Sequence, residues 1–315
     1  MAGKPQGAAW RRVCEQAKGS SADHARQFFE TRLKPYAILA ADGKADGLVT
    51  GYYEPLLRGS RLPANGFNQP VRGVPDDLLT IDLASLFPEL KNKRVRGRLE
   101  GNKVVPYWTR AEIAARGDTP PSRTLLYVDD PVELFFLQVQ GSGRVKLTDG
   151  SVVRLNYGEH NGHPYQSIGR VLVERGELKL EEASMQGIQA WSRANPERLN
   201  ELLNSNPSYV FFREAPDSQD GPPGALGVPL RAERSIAIDP RAVPLGAPVF
   251  LATTRPNSSR AMNRLVMAQD TGGAIKGAVR ADFFWGFGKD AGELAGRMKQ
   301  TGKMWILWPI DAPLK

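Results

Sequence analysis

The sequence predicts a mainly β protein with some helix, folded in part as a small closed barrel. Three observations carry this. Short strand-like runs recur near both ends of the chain, cut by Pro and Gly turns. The 32 glycines and 24 prolines are spread along the chain rather than clustered, which suits a turn-rich β fold. From Ser167 to Pro207 the apolar period switches to helical spacing.

Taken in order, residues 20–34 read as a helix. Ala25, Phe28, Phe29 and Leu33 share a face, and Ser20 or Ser21 can cap the start. "GLVTGYYEPLLRGS" (47–60) alternates as a strand until Pro55 ends the run. Residues 61–124, rich in Pro, Gly and Arg, read as loops and short strands. "ELFFLQVQGSGRVKL" reads as strands around a Gly-Ser-Gly turn, and "TDGS" (148–151) as a hairpin turn before "VVRLNY". Helices follow in "SIGRVLVERG" and "KLEEASMQGIQAWSRAN", with Met185, Ile188 and Trp191 on one side. Asn195-Pro196-Glu197 starts another, with Pro at its first position. After Pro207 come five short strands: "SYVFFRE", "RSIAIDP", "PVFLAT", "RLVMAQD" and "MWILWP". One helix interrupts them over 289–302, with Asp290 at its cap and Gly302 as its stop.

The 315 residues suggest about two domains. A net charge of +8 favours polyanionic partners: nucleic acid, an acidic polysaccharide or a carboxylate-bearing cell-wall polymer. The densest basic run, "LKNKRVRGR" (90–98), reads as a solvated face or loop. Cys14 is the one cysteine, so no internal disulfide forms and no thiol metal site is expected. No apolar run is long enough to span a bilayer, and "MAGKPQGAAWRRVC" has no apolar leader core. Two readings follow: a cytoplasmic chain, or one that begins after a removed leader.

His160 and His163 stand three apart, and the remaining histidine, His24, lies in a distant helix. A metal needs more ligands than this pair, so ordering a loop or lining a groove is the expected role. "GSG" (141–143) lacks the strand–loop–helix context of a phosphate loop, and no nucleophile motif of the G-x-S-x-G kind occurs. The carboxylates remain. Asp239 ends "RSIAIDP", Asp270 ends "RLVMAQD" and Asp282 opens "DFFWG". Each alone fits a turn former. Together they form a cluster, and Asp282 lies beside three aromatic residues, surroundings that disfavour its charged form and suit a general acid. These residues point to a hydrolase or lyase acting on a polysaccharide, with one acid or two left to geometry.

"TGYYEP" (50–55), "FFLQVQGSG" (135–143), "NGHPYQSIGRVL" (161–172), "NPSYVFF" (206–212), "IAIDPRAVPLG" (237–246) and "AQDTGGAIKG" followed by Asp282 occur in an order that resembles the membrane-bound lytic transglycosylase A family. The resemblance covers nearly the whole chain after about residue 45. It implies a double-psi β-barrel domain from residues 1–70 and 214–315, with a three-aspartate region at 230–310. It also implies a smaller inserted β-barrel domain over 71–213, with helices, and a glycan groove between the two. The implied activity is non-hydrolytic cleavage of the β-1,4 bond between N-acetylmuramic acid and N-acetylglucosamine in peptidoglycan, leaving a 1,6-anhydro ring. Asp282 would be the single acid/base, with Asp270 and Asp239 in support. Tyr52, Tyr53, Gln138, Gln140, Ser142 and Lys276 would line the groove. No cofactor and no metal are implied. The implied partner is the peptidoglycan glycan strand rather than nucleic acid, and a cell-wall synthesis or hydrolysis complex stays open. The family sits in the periplasm on the inner face of the outer membrane through a lipid anchor, for which this chain shows neither leader nor attachment cysteine. Two rivals remain: an inverting, endoglucanase-like hydrolase and a non-catalytic, expansin-like glycan-binding module.

Overall fold

The structure is a computed structural model that describes residues 6–64, 66–90, 95–117, 123–216 and 221–312. It contains two compact units. The first comprises Met1–Gly51, Pro223–Trp285 and Arg297–Lys315; the second comprises Tyr52–Pro222 and Gly286–Gly296. The first division falls inside a strand, ahead of the 70/71 boundary read from the sequence. Among the described residues, no helix is long and apolar enough to cross a membrane.

Helix α1 (Gln6–Lys18) is absent from the sequence reading; Trp10 fastens it to the last strand, meeting Trp308 edge to face with centroids 5.5 Å apart. α2 (Ala25–Arg32) is shorter than expected. A 3-10 turn precedes it, and Leu33 opens strand β1 (Leu33–Ala37) instead of completing the helix. Pro35 explains the stop, because a residue before proline is pushed to extended backbone. β2 (Gly47–Glu54) and β3 (Leu56–Ser60) flank Pro55 as the alternation predicts.

Short strands follow: β4 (Gln69–Arg72), β5 (Leu79–Thr80), β6 (Arg96–Glu100) and β7 (Lys103–Pro106). α3 (Arg110–Arg116) then appears where only loops and strands were expected. Its signal is a capping box, in which Thr109 and Glu112 satisfy each other's backbone N–H. β8 (Thr124–Val128) leads into the main correction. Residues 133–140, read as a strand, belong to helix α4 (Pro131–Gln140). Asp130 caps it through the N–H groups of Val132 and Glu133, Pro131 takes its first turn, and Gly141 ends it with φ +81. So "GSG" is a helix stop rather than a hairpin turn. The apolar run fits either period; the caps decide. α4 also has two faces to bury. Leu134 and Leu137 join the sheet core with Leu57, Val71 and Leu155, while Val132 and Phe135 join a helical cluster with Ile168, Leu172 and Trp191.

β9 (Gly143–Leu147) and β10 (Val152–His160) make the expected hairpin, with Val152 opposite Lys146. α5 (Ile168–Glu174), α6 (Met185–Ala194) and α7 (Leu199–Asn204) fill the region of helical spacing, the first two capped by Ser167 and Ser184. The remaining elements are β11 (Val210–Ala215), β12 (Ser235–Ile238), β13 (Pro248–Thr254), β14 (Ala261–Asp270), β15 (Arg280–Phe287), α8 (Gly288–Arg297) and β16 (Lys299–Pro309). α8 starts before Asp290, and Gly302 lies inside β16 rather than stopping the helix. There it serves close strand packing: a Cβ would stand 2.6 Å from the Val49 side chain.

In the first unit the strands run β16-β13-β14-β12-β15-β2, and β2 pairs back onto β16, which closes the ring. β16 divides one side between two partners, β2 at Lys299–Gly302 and β1 at Trp305–Pro309. Ile236, Ile238, Val249, Leu251, Val266, Ala281 and Phe283 are buried in this unit. The second unit has the strand order β11-β10-β9-β3-β8-β4, and a bridge from Gly73, just past β4, to Phe212 of β11 links its two outer strands. β5, β6 and β7 form a separate small sheet.

Candidate active site

The central strand of the site is β12. Ala237 pairs with Asp282 on one side, in antiparallel β15, and with Asp270 on the other, in parallel β14. Residues directly opposite one another share a face of the sheet, so both aspartates lie on Ala237's face. This depends on an irregularity. Ile236 pairs with Ala268, but Ala237 pairs with Asp270, so Gln269 is one extra residue in β14. In a regular ladder Gln269 would take that place and Asp270 would turn away. A bulge of this kind re-aims a side chain. The Gln269 side chain is held aside, accepting the Ser235 hydroxyl at 2.6 Å, while Ser235 Oγ accepts the Arg231 N–H at 2.9 Å.

The three aspartates have different surroundings. Asp282 is half-buried, and its Oδ1 accepts the Thr50 hydroxyl at 2.5 Å. Burial raises its pKa to about 6, the negative charge of Asp270 pushes the same way, and the Thr50 bond and the Arg280 charge oppose. Asp270 Oδ1 accepts the backbone N–H groups of Ala225 and Thr271, both at 2.9 Å. Asp239 is buried and fully engaged. It takes the Arg241 guanidinium at 2.6 and 2.9 Å and the Gly277 N–H at 2.9 Å. The Arg241 bonds, with the backbone donors, hold its carboxyl well below the usual range. Asp239 therefore stays ionised and anchors the 271–279 loop. Lys276 is exposed on that loop, next to the anchored Gly277.

The other sequence-predicted residues belong to the second unit. Tyr53 and Gln140 are brought together, the Tyr53 N–H donating to Gln140 Oε1 at 3.1 Å. The Tyr53 ring also packs under α8, where a Cβ on Gly292 would lie 2.8 Å from it. Burial, with the charge of Glu133, pushes the Tyr53 phenol up to about 12. Tyr52 is buried, and Ser142 is half-buried just after the α4 stop. Gln138 lies in the interior of α4, only 4% exposed, and bonds the Tyr209 phenol. The two histidines order local backbone: His160 Nδ1 accepts the Gly162 N–H at 2.9 Å, and His163 Nε2 bonds the Tyr107 carbonyl at 2.7 Å.

Three groups escaped the sequence reading. Thr50 is separated from Asp282 by 232 positions, and a strand threonine announces nothing by itself. The Ser235–Gln269 pair shows only once the bulge is known. Arg241 had a visible cue, since an Asp before Pro often bonds the residue two places on.

The family model described as the MltA specific insert domain matches residues 48–213, and that of the 3D domain matches residues 234–308. Membrane-bound lytic murein transglycosylase A of Escherichia coli K12 is 33% identical over 296 residues, which span 92% of this chain and 72% of that protein. The crystal structure of MltA from Neisseria gonorrhoeae is similar with a TM-score of 0.85 at 44% identity, covering 99% of this chain and 85% of that one. The crystal structure of E. coli MltA with bound chitohexaose gives a TM-score of 0.74 at 30% identity, over 98% of this chain and 84% of that one.

Proposed function

The chain belongs to the MltA family and is a lytic murein transglycosylase, a lyase acting on peptidoglycan, and from that premise we propose how its residues perform the cleavage. Asp282 begins protonated. It donates its proton to the oxygen linking N-acetylmuramic acid C1 to N-acetylglucosamine C4, and the C1–O bond breaks. The N-acetylglucosamine leaves with a free 4-hydroxyl. The resulting Asp282 carboxylate takes the proton of the muramyl C6 hydroxyl as O6 bonds C1. The 1,6-anhydro ring closes, no water enters, and Asp282 is protonated again. The acetamido group of the substrate stabilises the cationic centre between the two steps, as in substrate-assisted enzymes.

The observation that carries this reading is the contrast among the aspartates. Asp282 pairs a raised pKa, about 6, with a hydroxyl donor. Asp239 is bound to an arginine, and Asp270 accepts two backbone N–H groups. Asp270 supports by its charge and Asp239 by fixing the loop that carries Lys276. The proposal extends to a double-psi barrel, to glycan contacts by the more open Tyr53, Gln140, Ser142 and Lys276 but not by the buried Tyr52 and Gln138, and to a periplasmic, lipid-anchored full-length protein. A relative solved with chitohexaose supports a glycan ligand.

The test is product analysis of digested peptidoglycan. Anhydro-ended muropeptides are expected; reducing ends would show an inverting hydrolase instead. Asp282→Asn should bind glycan without cleaving it, and a wild-type chain that binds but never depolymerises would leave only the binding-module reading.

A further inference from the structure

The second unit holds a small open cleft between β4, α3 and β11 that the proposed chemistry does not use. Its described lining includes Arg72, Arg116 and Arg123 and no Asp or Glu. Arg116 and Arg123 are exposed and have no ion-pair partner among the described residues. Trp108, which also lines the cleft, is covered by two guanidinium groups: Arg98 lies 3.6 Å from its ring centroid and Arg116 lies 4.6 Å away. Among the described residues, the indole Nε1 of Trp108 and the Nε of Arg98, which stacks on Trp108 but does not line the cleft, are buried donors without an acceptor. Such donors are costly unless something accepts from them.

The nearby acids are committed elsewhere. Asp77 accepts the Tyr107 hydroxyl at 2.7 Å, and Glu112 accepts the Thr109 hydroxyl and N–H at 2.7 Å each. Arg98 reaches Glu100 through Nη1 at 3.3 Å, which leaves its Nε unanswered. Among the described residues, the cleft is therefore rich in donors and positive charge and poor in acidic side chains. Pro75, Ile113 and Phe211 supply apolar walls beside the arginines. Guanidinium donors match the flat, two-oxygen geometry of a carboxylate, and the apolar walls suit a small alkyl group next to it.

We infer that this cleft binds a free carboxylate carried on a small apolar residue, as at the end of a peptide stem on a peptidoglycan strand. The source of the carboxylate rests on the proposed function; the binding chemistry does not.

The experiment uses the full chain as the Asp282→Asn variant, so that no turnover intrudes. The Trp108 indole N–H is followed by ¹H–¹⁵N NMR and assigned from its loss in Trp108→Phe. N-acetyl-D-alanine is titrated beside its C-terminal amide and inorganic phosphate. The acid is expected to shift the Trp108 signal saturably, while the amide leaves it in place. Arg116→Gln with Arg123→Gln should weaken binding by about tenfold or more, the scale of one lost charge-assisted hydrogen bond. No saturable shift, an equal response to the amide, or tighter binding of phosphate than of the acid would each overturn the assignment. Both replaced arginines are exposed; if the double variant still failed to fold, the acid–amide comparison on the parent chain decides alone. Failure of the lytic reading would appear in the muropeptide products, a separate measurement.

Discussion

Thr50 donates its hydroxyl to Asp282 Oδ1 at 2.5 Å, joining β2 to β15 at the proposed acid. The bond occupies one carboxyl oxygen and directs the exchangeable proton to the other. It also favours the charged form, against burial. Thr50→Val should therefore raise the Asp282 pKa further, moving the alkaline limb of kcat/KM up by about one pH unit. Thr50→Ser should restore the wild-type profile. A limb that stays in place in Thr50→Val would separate the bond from the chemistry.

The raised pKa of Asp282 has opposite effects on activity and stability. The acid form is the reactive one, so kcat/KM should fall as pH rises above about 6. For stability, the folded pKa of about 6 exceeds the unfolded value of 3.8, so between them the folded state binds the proton more tightly. Stability is then lost as pH rises through that window, and the charge is a burden at neutral pH. Asp282→Asn should be more stable than wild type by about 3 kcal/mol near pH 7.5, seen as a higher melting temperature, and show no advantage near pH 4. Equal melting curves at both pH values would count against the burial argument.

Asp239 works the other way. Its folded pKa is depressed, so its contribution is present above the unfolded value of 3.8 and is lost as pH falls below it. Asp239→Asn should cost about 1–3 kcal/mol at neutral pH by weakening its bonds to Arg241 and Gly277. Hydrogen exchange at the Gly277 amide should accelerate, while the alkaline limb of activity stays put.

Asp270 acts through its charge, so Asp270→Asn should do what Asp239→Asn does not. Removing that negative charge should lower the Asp282 pKa and shift the alkaline limb down by less than about one pH unit. An upward shift would contradict it.

Ala237 lies between the two aspartates and is buried, at 3% exposure. Ala237→Leu should overpack this place and cost about 1–3 kcal/mol. Turnover should fall more than glycan binding, measured by kcat against Kd.

The sequence made the C-terminal strands legible, because each is a short apolar run bounded by Pro or Gly. It made the Asp239, Asp270 and Asp282 cluster visible too, and the family motifs ranked its members. It misled at α4, where "FFLQVQ" alternates as a strand would. Asp130, Pro131 and Gly141 mark the helix locally, but its two buried faces, Leu134 and Leu137 in one core and Val132 and Phe135 in another, depend on distant residues. The same limit hid Thr50, whose meaning lies in a neighbouring strand 232 positions away. The Gln269 bulge was hidden for a related reason: register belongs to a pair of strands rather than to either one.

β1 lies beside a ring whose strands otherwise close on one another. An outer strand is where a second molecule could add itself and begin a fibre. Here the stretch is brief, Leu33–Ala37, and Pro35 brings no N–H while Lys34 carries an exposed charge. An approaching strand would meet an interrupted row of donors and a cation it must desolvate. Such an edge is a poor template for the strand of a second molecule.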